Sequence, residues 1–197
     1  MDSKNPDRRV QKTLGLLSHA LIALIKERSY ESIKVQDILD RANVGRSTFY
    51  SHFKDKDDLL IKGFDNLRRL LNSAHNSGND YPGSALISFS GAMFSHAYDH
   101  RQIYQATAGG QTGLLIMGQM EKIIFETIAE RLKTEKKRRG KFAIEIPDEL
   151  FCHHLASAFT SVIKWWLDRR TPVSATRMDE YFQALAKPLL ERSFGKN

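Results

Sequence analysis

Apolar residues recur at helical spacing along this chain, and no stretch shows the strict alternation of a half-buried strand. The first apolar stripe has steps of four, three, four and three residues, and it consists of Val10, Leu14, Leu17, Leu21 and Leu24. This stripe predicts a long first helix over about 7–28. Similar stripes follow along the chain, so the pattern predicts an all-α fold of about nine helices.

A turn-rich segment, HNSGNDYPG at 75–83, interrupts the helical pattern after the fourth predicted helix. It predicts a division into two domains. Residues 1–72 would contain the long first helix, two short helices and a connecting fourth helix, whose apolar stripe is continuous from Leu60 to Leu71. Residues 73–197 would contain about five longer helices.

The segment VGRSTFYSHFKDKDDL, residues 44–59, mixes aromatic, hydroxyl and basic side chains in an unusual way. Two short predicted helices flank the turn formed by residues 43–45, and this layout is that of a helix-turn-helix. Phe49 and Phe53, spaced i and i+4, share one helix face and are expected to pack in the core. The polar residues between them are then left to bind base edges or phosphates.

Residues 8–64 resemble the DNA-binding domain of the TetR family of bacterial transcriptional regulators. The resemblance rests on the signature V-x-R-x-T-F-Y-x-H-F-x-x-K-x-x-L, matched here by Val44, Arg46, Thr48, Phe49, Tyr50, His52, Phe53, Lys56 and Leu59. The family usually has Gly where this chain has Asn43, and Ser or Thr where it has Gly45. Asn43 tolerates a left-handed turn, but Gly45 lacks a hydroxyl for a phosphate contact.

The resemblance implies that residues 1–72 form a three-helix DNA-binding head with a connecting fourth helix. It further implies contacts with the DNA backbone by Lys34, Thr48, Tyr50, His52 and Lys56. The candidates for reading bases are Gln36, Arg46, Ser47 and Ser51. Arg46 suits the two acceptors on a guanine edge. The alternative for Tyr50 and His52 is that they only pack against the fourth helix.

For residues 73–197 the resemblance implies a helical domain that dimerises and holds a small-molecule effector. Methionine and aromatic side chains suit an adaptable apolar pocket. The candidates for its lining are Phe89, Met93, Phe94, Tyr98, Tyr104, Met117, Met120, Phe159 and Trp165. For each of these residues, simple packing in the core is the alternative.

The last two predicted helices, about 148–168 and 174–192, are apolar around more than one face, so each must bury more than one side. The resemblance supplies a partner for the second face, a two-fold four-helix dimer interface. Its expected residues are Phe151, Leu155, Val162, Trp166, Phe182, Leu185 and Leu189. Two heads about 34–36 Å apart would then read two half-sites of a near-palindrome.

Charge and composition agree with a compact protein that binds an anionic partner. The net charge is +7, and residues 1–70 hold +4 of it, with 14 Lys and Arg against 10 acids. No apolar run is long enough to span a membrane, and the N-terminus lacks the apolar centre of a signal peptide. The single cysteine, Cys152, fits a reducing compartment. We therefore expect a cytoplasmic protein without a cofactor.

Two pairs of histidines raise the question of a metal site: His96 with His100, and His153 with His154 beside Cys152. Nothing in the sequence brings the two pairs together, so no metal is expected and a polar pocket lining is favoured. The basic run 133–141 is interpreted as a solvated helix end. An all-α enzyme is a remote alternative, since no nucleophile elbow or Ser-His-Asp arrangement stands out.

The sequence therefore predicts a dimeric, sequence-specific transcriptional regulator, most simply a repressor that a small apolar or aromatic effector releases from a palindromic operator. The alternative is an activator, or a regulator that responds to a protein partner and has no small ligand. The absence of a cavity among the C-terminal apolar stripes would favour that alternative.

Overall fold

The computed structural model describes residues 6–74, 81–108, 110–139, 145–169 and 173–195. Within these ranges the chain forms α-helices and two short 3-10 helices, and no strand, so the expected all-α class is confirmed. The α-helices are α1 (Pro6–Glu27), α2 (Val35–Ala42), α3 (Arg46–Tyr50), α4 (Lys56–Gly63), α5 (Asp65–Ser73), α6 (Ser90–Asp99), α7 (Arg101–Thr107), α8 (Gln111–Arg139), α9 (Asp148–Asp168) and α10 (Ala175–Phe194). The 3-10 helices are Tyr30–Ser32 and Ser84–Ile87.

Packing divides the chain into two units. The first unit runs to Asp65 and also includes Gln102–Leu114, and the second contains the rest. Residues 102–114 belong with the head because Ile103 packs against its core and Thr112 Oγ1 donates to Glu31 Oε1 at 3.3 Å. The domain boundary expected after residue 72 stays a prediction, whereas the packing division falls earlier in the chain.

The core of the first unit forms where α2 and α4 pack against α1, and where α3 packs against α2. Its fully buried side chains come from every one of these helices and include Leu17, Leu21, Ile25, Ile38, Phe49 and Leu59. The short helix α3 therefore gains its position from a core that four helices share. Burial of each large apolar side chain contributes about 1.5–3 kcal/mol.

The predicted fourth helix is interrupted. Helix α4 ends at Gly63 and α5 begins at Asp65, with Phe64 between them in a right-handed helical turn (φ −72°, ψ −9°). The division between the two units falls at the same point. The prediction of one continuous helix is thus corrected to two successive helical segments, although Leu67 and Leu71 remain buried as their spacing indicates.

In the second unit, α8 holds α5 through two arginine contacts. Arg131 of α8 donates to the carbonyl oxygens of Leu71 and Ala74 at 2.6 and 2.9 Å, where α5 ends. Arg68 of α5 pairs with Glu126 of α8 at 2.6 Å. Burial lowers the pKa of Arg131, but a cation is favoured beside the C-terminus of a helix because of the helix dipole.

A polar network joins α10 to the start of α6. Gln183 Nε2 donates to the buried Ser90 Oγ at 2.7 Å, and Tyr81 Oη donates to Gln183 Oε1 at 2.7 Å. Ser90 in turn donates to Asp179. Burial, with a smaller effect of Asp179, raises the pKa of Tyr81 to about 12, so the phenol remains a donor at neutral pH. The network fixes the register between α6 and α10, since each buried polar atom must keep its partner.

Two glycines of α8 provide a test of the tight turn between α7 and α8. A Cβ added at Gly113 would lie 2.6 Å from the backbone oxygen of Thr107, whereas a Cβ at Gly118 would meet nothing within 4 Å. We expect Gly113→Ala to lower the free energy of unfolding by about 1–3 kcal/mol through this clash. The matched change Gly118→Ala should raise it by up to about 1 kcal/mol. Urea unfolding of the two variants measures both effects, and equal stabilities would contradict the tight turn.

Candidate nucleic-acid interface

The turn before α3 has the backbone geometry that the sequence predicts. Asn43 ends α2 in the left-handed conformation (φ 51°, ψ 50°), and the N–H of Val44 donates to the carbonyl of Leu39 at 3.1 Å. Gly45 is the N-cap of α3 (φ −69°, ψ 148°) and provides no side-chain hydrogen bond. The turn thus sets the direction of α3 with a residue type that tolerates positive φ.

Helix α3 separates an apolar face from a polar one. Phe49 and Phe53 are 0% and 4% exposed, and their ring centroids lie 5.4 Å apart. Tyr50, by contrast, is 49% exposed, and the guanidinium of Arg46 lies 5.9 Å from the centre of its ring. The remaining polar residues of the segment are exposed (Ser47, Ser51) or half-buried (Thr48, His52).

Two of the candidates for base reading, Ser51 and Gln36, already donate a side-chain hydrogen bond within the protein. Ser51, the residue that ends α3, donates from Oγ to the carbonyl of Thr48 at 2.8 Å. Gln36 Nε2 donates to Asp40 Oδ1 at 2.8 Å, which orients the amide along α2. Arg46 lies on the outer face of α3, where its planar donors suit a guanine edge. Base reading by these residues and by Ser47 stays a prediction.

Lys34 is exposed at the start of α2, as a backbone-contacting residue requires. Its N–H donates to Asp37 Oδ2 at 2.7 Å, and Arg28 pairs with the same carboxylate at 2.7 Å. The bond from Lys34 and, to a lesser extent, the charge of Arg28 lower the pKa of Asp37. The carboxylate therefore caps α2 and leaves the Lys34 side chain on the outside.

Lys56 has partners inside the head. Its Nζ donates to the carbonyl oxygens of Tyr30 and Ile33 at 2.7 and 2.8 Å, and lies 4.4 Å from the centre of the Tyr30 ring. The Tyr30 hydroxyl donates to Asp57, and burial together with this bond raises the pKa of Tyr30. The phosphate contact of Lys56 therefore stays a prediction. The alternative is that Lys56 supports the backbone of the head.

Sequence reasoning did not single out Lys62. Its Nζ donates to the carbonyl of His52 at 2.7 Å and pairs with Asp58 at 3.1 Å. The i, i+4 spacing of Asp58 and Lys62 signals their ion pair in the sequence. No pattern signals the bond to a backbone carbonyl, which depends on how α4 packs.

The outer face of α9 and α10 carries an apolar groove in the second unit. The groove has a volume of about 550 Å³, and Trp165, Tyr181 and Leu185 on its surface are 47%, 45% and 71% exposed. Its other lining residues are Ser161, Val162, Met178 and Ala184. Exposed apolar surface of this kind is typical of a protein–protein interface.

Several predicted dimer-interface residues lie on the opposite side of these helices. Phe151, Leu155, Trp166 and Phe182 are only 2–3% exposed and belong to the subunit's own core. Leu189 is half-buried, as is Val162, and Leu185 remains on the outer face. The outer face of the two helices thus carries Val162 and Leu185, together with the predicted pocket residue Trp165, and the dimer interface itself stays a prediction.

Comparisons with known proteins agree with this architecture. Residues 17–62 match the family described as bacterial regulatory proteins, tetR family, and residues 86–188 match the family described as transcriptional regulator C-terminal region. This chain belongs to the TetR family. It is therefore a DNA-binding transcriptional regulator, as the sequence predicts.

Two curated relatives of this TetR-family chain are similar over different lengths. The uncharacterized HTH-type transcriptional regulator YxbF of Bacillus subtilis (strain 168) is 38% identical over 58 residues, which cover 29% of this chain and only 15% of YxbF. The HTH-type dhaKLM operon transcriptional activator DhaS of Lactococcus lactis subsp. lactis (strain IL1403) is 22% identical over 157 residues, covering 77% of this chain and 78% of DhaS.

Solved structures share the fold over nearly the whole chain. The dihydroxyacetone kinase operon activator DhaS superposes with a TM-score of 0.69 at 16% identity, covering 92% of this chain and 97% of that one. A TetR transcriptional regulator from Streptococcus agalactiae 2603V superposes with a TM-score of 0.60 at 26% identity, with the same coverage. The TetR-family fold therefore extends through both units.

The predicted pocket residues of the TetR-family C-terminal unit include a packed aromatic cluster. Phe89, Phe94 and Phe159 are fully buried, and the Phe159 ring centroid lies 5.3 Å from that of Phe89 and 5.0 Å from that of Phe94. Phe182 adds an edge-to-face contact with Phe159 at 4.6 Å. Centroid distances of 4.5–7 Å are those of rings in direct contact. The rings therefore pack on one another.

The remaining predicted pocket residues are dispersed. Met93 is fully buried and Met120 is 7% exposed, whereas Met117 is half-buried. Tyr98 is 43% exposed and stacks on Trp166 at 6.0 Å. Tyr104 belongs to the first unit and not to the second. Phe89, Phe94, Phe159 and Met93 are thus buried core residues, and an effector pocket lined by the predicted residues stays a prediction.

Three of the four histidines considered as metal ligands have local partners. His96 and His100 stack with ring centroids 4.2 Å apart, and burial, assisted by His100, lowers the pKa of His96 to about 4. His153 packs against Phe125 at 4.3 Å. Over the described ranges, no group of three or more His, Cys, Asp or Glu side chains is arranged to hold a metal ion. Over the same ranges, no helix has the length and apolar character needed to cross a membrane.

Lys56 provides a test that separates its two possible roles. We expect Lys56→Met to lower the free energy of unfolding by about 1.5–3 kcal/mol, because charged hydrogen bonds to two carbonyls are lost. The salt dependence of DNA binding should remain that of the unchanged protein. The matched control is Lys34→Met, which removes an exposed lysine and should leave stability within about 0.5 kcal/mol. Unchanged stability of Lys56→Met with a salt slope smaller by about 0.9 would indicate a phosphate contact instead.

Proposed function

We propose that the protein is a homodimer that binds a near-palindromic operator through the polar face of α3. The observation that supports this proposal is the division of α3 and its exit turn: Phe49 and Phe53 are buried, while Arg46 and Tyr50 are exposed on one outer surface. Under this proposal Thr48, Tyr50 and His52 hold the DNA backbone, with Lys34 beside them. Arg46, Ser47 and Ser51 of the recognition segment, with Gln36 of α2, read bases.

The apolar groove on α9 and α10 supports the homodimer. Trp165 and Leu185 are large side chains that cost free energy when they stay in water, at about 25 cal/mol per Å² of apolar surface. Small residues beside them, Ser161 and Ala184, allow the helices of a second copy to approach closely. Two copies related by a two-fold axis would form a four-helix interface, because an isologous contact uses the same face twice.

For regulation, we propose a repressor that an apolar or aromatic effector releases from DNA. An effector that favours a different separation of the two heads would weaken binding, because engagement by one head alone loses most of the affinity. The contacts of α8 with α5 support a mechanical route, since Arg131 and Arg68 join the connecting segment to a long helix. A cytoplasmic location is part of the proposal.

A second candidate is an activator, or a regulator that answers to a protein partner without a small ligand. The direct packing of Phe89, Phe94 and Phe159 favours it, because these rings occupy space that the first candidate reserves for an effector. The relative DhaS is itself named as a transcriptional activator. Transcription from a promoter carrying the operator, measured with and without the protein, distinguishes repression from activation.

Selection of bound duplexes from a random pool tests the DNA-binding proposal. We expect a near-palindromic site whose half-sites are centred about 10–10.5 base pairs, or a multiple of that, apart. Affinity for the selected duplex should fall steeply with salt and exceed that for unrelated duplexes by at least about a thousandfold. Equal affinity for all duplexes in a gel shift would contradict sequence-specific recognition.

The dimer face is tested by placing a charge in the groove. We expect Leu185→Glu to convert the dimer to a monomer, because a carboxylate would be buried without a partner. The matched control is Leu114→Glu, which changes a leucine that is 77% exposed and lies in the first unit. Sedimentation analysis should show dimers for the control alone. If the Leu185→Glu variant remains a dimer, the dimer interface does not include this groove.

A further inference from the structure

Helix α4 holds the helix-turn-helix at two places through lysine side chains. Lys56, its first residue, donates to the backbone carbonyls of Tyr30 and Ile33, just before α2. Lys62, in its last turn, donates to the carbonyl of His52, just after α3. Both bonds end on backbone atoms, so they fix the course of the chain and not merely a side-chain rotamer.

The Lys62 ammonium is held from several sides. Asp58 Oδ2 lies 3.1 Å from Lys62 Nζ, and the Phe53 ring centroid lies 5.2 Å from it. Asp58 Oδ2 also accepts from the N–H of Lys54 at 3.0 Å. The bond from Lys54 and then the ammonium of Lys62 lower the pKa of Asp58, which keeps this carboxylate charged at neutral pH. The segment that leaves α3 is therefore fixed at both His52 and Lys54.

Such a support matters because α3 has only five residues. A helix this short has no stability of its own, and its last carbonyl groups lack partners within the helix. The N–H groups of His52 and Phe53 both bond to the carbonyl of Phe49 at 2.9 Å, which completes a tight exit turn. A cation beside this exit is favoured by the peptide dipoles of the segment.

We propose that Lys62 is a positioning residue for DNA recognition: by holding the His52 carbonyl, it sets the angle at which α3 presents Arg46 and its neighbours. The inference rests on the proposed function, because it takes α3 as the DNA-contacting helix. It assigns Lys62 a contribution to specific affinity without any contact with DNA. Asp58 acts in the same way, through Lys62 and through the N–H of Lys54.

The competing explanation is that Lys62 binds a phosphate directly, since its side chain is 48% exposed. The two roles differ in what they do to unrelated DNA. A phosphate contact strengthens binding to every sequence and adds about 0.9 to the salt slope. A positioning contact strengthens binding to the operator only, because nonspecific binding does not need α3 at one fixed angle.

The test compares full-length variants on the selected operator and on an unrelated duplex over a range of salt. We expect Lys62→Met to weaken operator binding about five- to tenfold, with the unrelated duplex within about twofold and the salt slope unchanged. Lys62→Arg, which keeps a charged donor, should retain most of the operator affinity. Lys54→Met is the matched control, because it removes a nearby exposed lysine and leaves the backbone N–H to Asp58 in place.

Asp58→Asn provides a second test, in which the change in net charge has the opposite sign to that of Lys62→Met. Positioning predicts weaker operator binding, although the variant gains a unit of positive charge near the DNA. A phosphate contact by Lys62 predicts equal or stronger binding to both duplexes, because a competing carboxylate is gone. Equal losses on both duplexes for Lys62→Met with a reduced salt slope, or a loss no larger than that of Lys54→Met, would overturn the proposal.

Amide hydrogen exchange of the free protein separates failure of this inference from failure of the proposed function. We expect Lys62→Met to speed exchange at the N–H groups of His52 and Phe53, with little change in α1. This readout needs no DNA. If the unchanged protein shows no sequence preference, the proposed function fails, but unchanged exchange in the variant would by itself refute positioning by Lys62.

Discussion

Helix α3 is five residues long, and a helix of that length does not persist in water unless other parts of the protein hold it. Burial of Phe49 and Phe53 provides this hold, and the other contacts of the head depend on it. The two rings fix the rotation of α3 about its axis, so that Arg46 and Tyr50 must point outward. The left-handed Asn43 fixes its direction at one end, and α4 supports it at the other. A short helix can thus keep a fixed orientation because its surroundings impose it.

The connecting segment, α4 and α5, is likewise held in place by contacts with surrounding residues. Helix α4 belongs to the first unit, where its lysines bond to backbone carbonyls, and α5 belongs to the second, where Arg131 and Arg68 join it to α8. Each helical segment is held by polar contacts within its own unit, and Phe64 joins them in a helical turn. Hydrogen bonds and an ion pair thus link α8 to α5, and the peptide backbone at Phe64 links α5 to α4.

The features of the head that follow from local rules could be predicted from the sequence. The i, i+4 spacing of Phe49 and Phe53 indicates one buried face, and an Asn before a short helix indicates a left-handed turn. The face of α9 that stays exposed could not be predicted in this way. Trp165 and Trp166 are adjacent, and about 100° of helix rotation decides which of them is buried. Periodicity shows that a helix has two apolar faces, but only the packing of α6 and α10 shows that Trp166 points inward. The hydrogen bonds from Lys56 and Lys62 to backbone carbonyls could not be predicted either, because every residue has a backbone carbonyl and the sequence does not indicate which one accepts.

The aromatic cluster limits how an effector could act on the second unit. Phe159 contacts Phe89, Phe94 and Phe182 at centroid distances of 4.6–5.3 Å, and such ring pairs contribute about 0.5–1.5 kcal/mol each beyond their buried area. A ligand that enters between these rings must replace those contacts with its own, so an apolar or aromatic ligand would lose least. It would also have to bind better to a conformation with separated rings than to the packed one, because only differential affinity shifts a population. Small-molecule control through this cluster therefore requires an opened core that is accessible at a cost of a few kcal/mol. If the core opens at much greater cost, regulation must act from the surface of the unit.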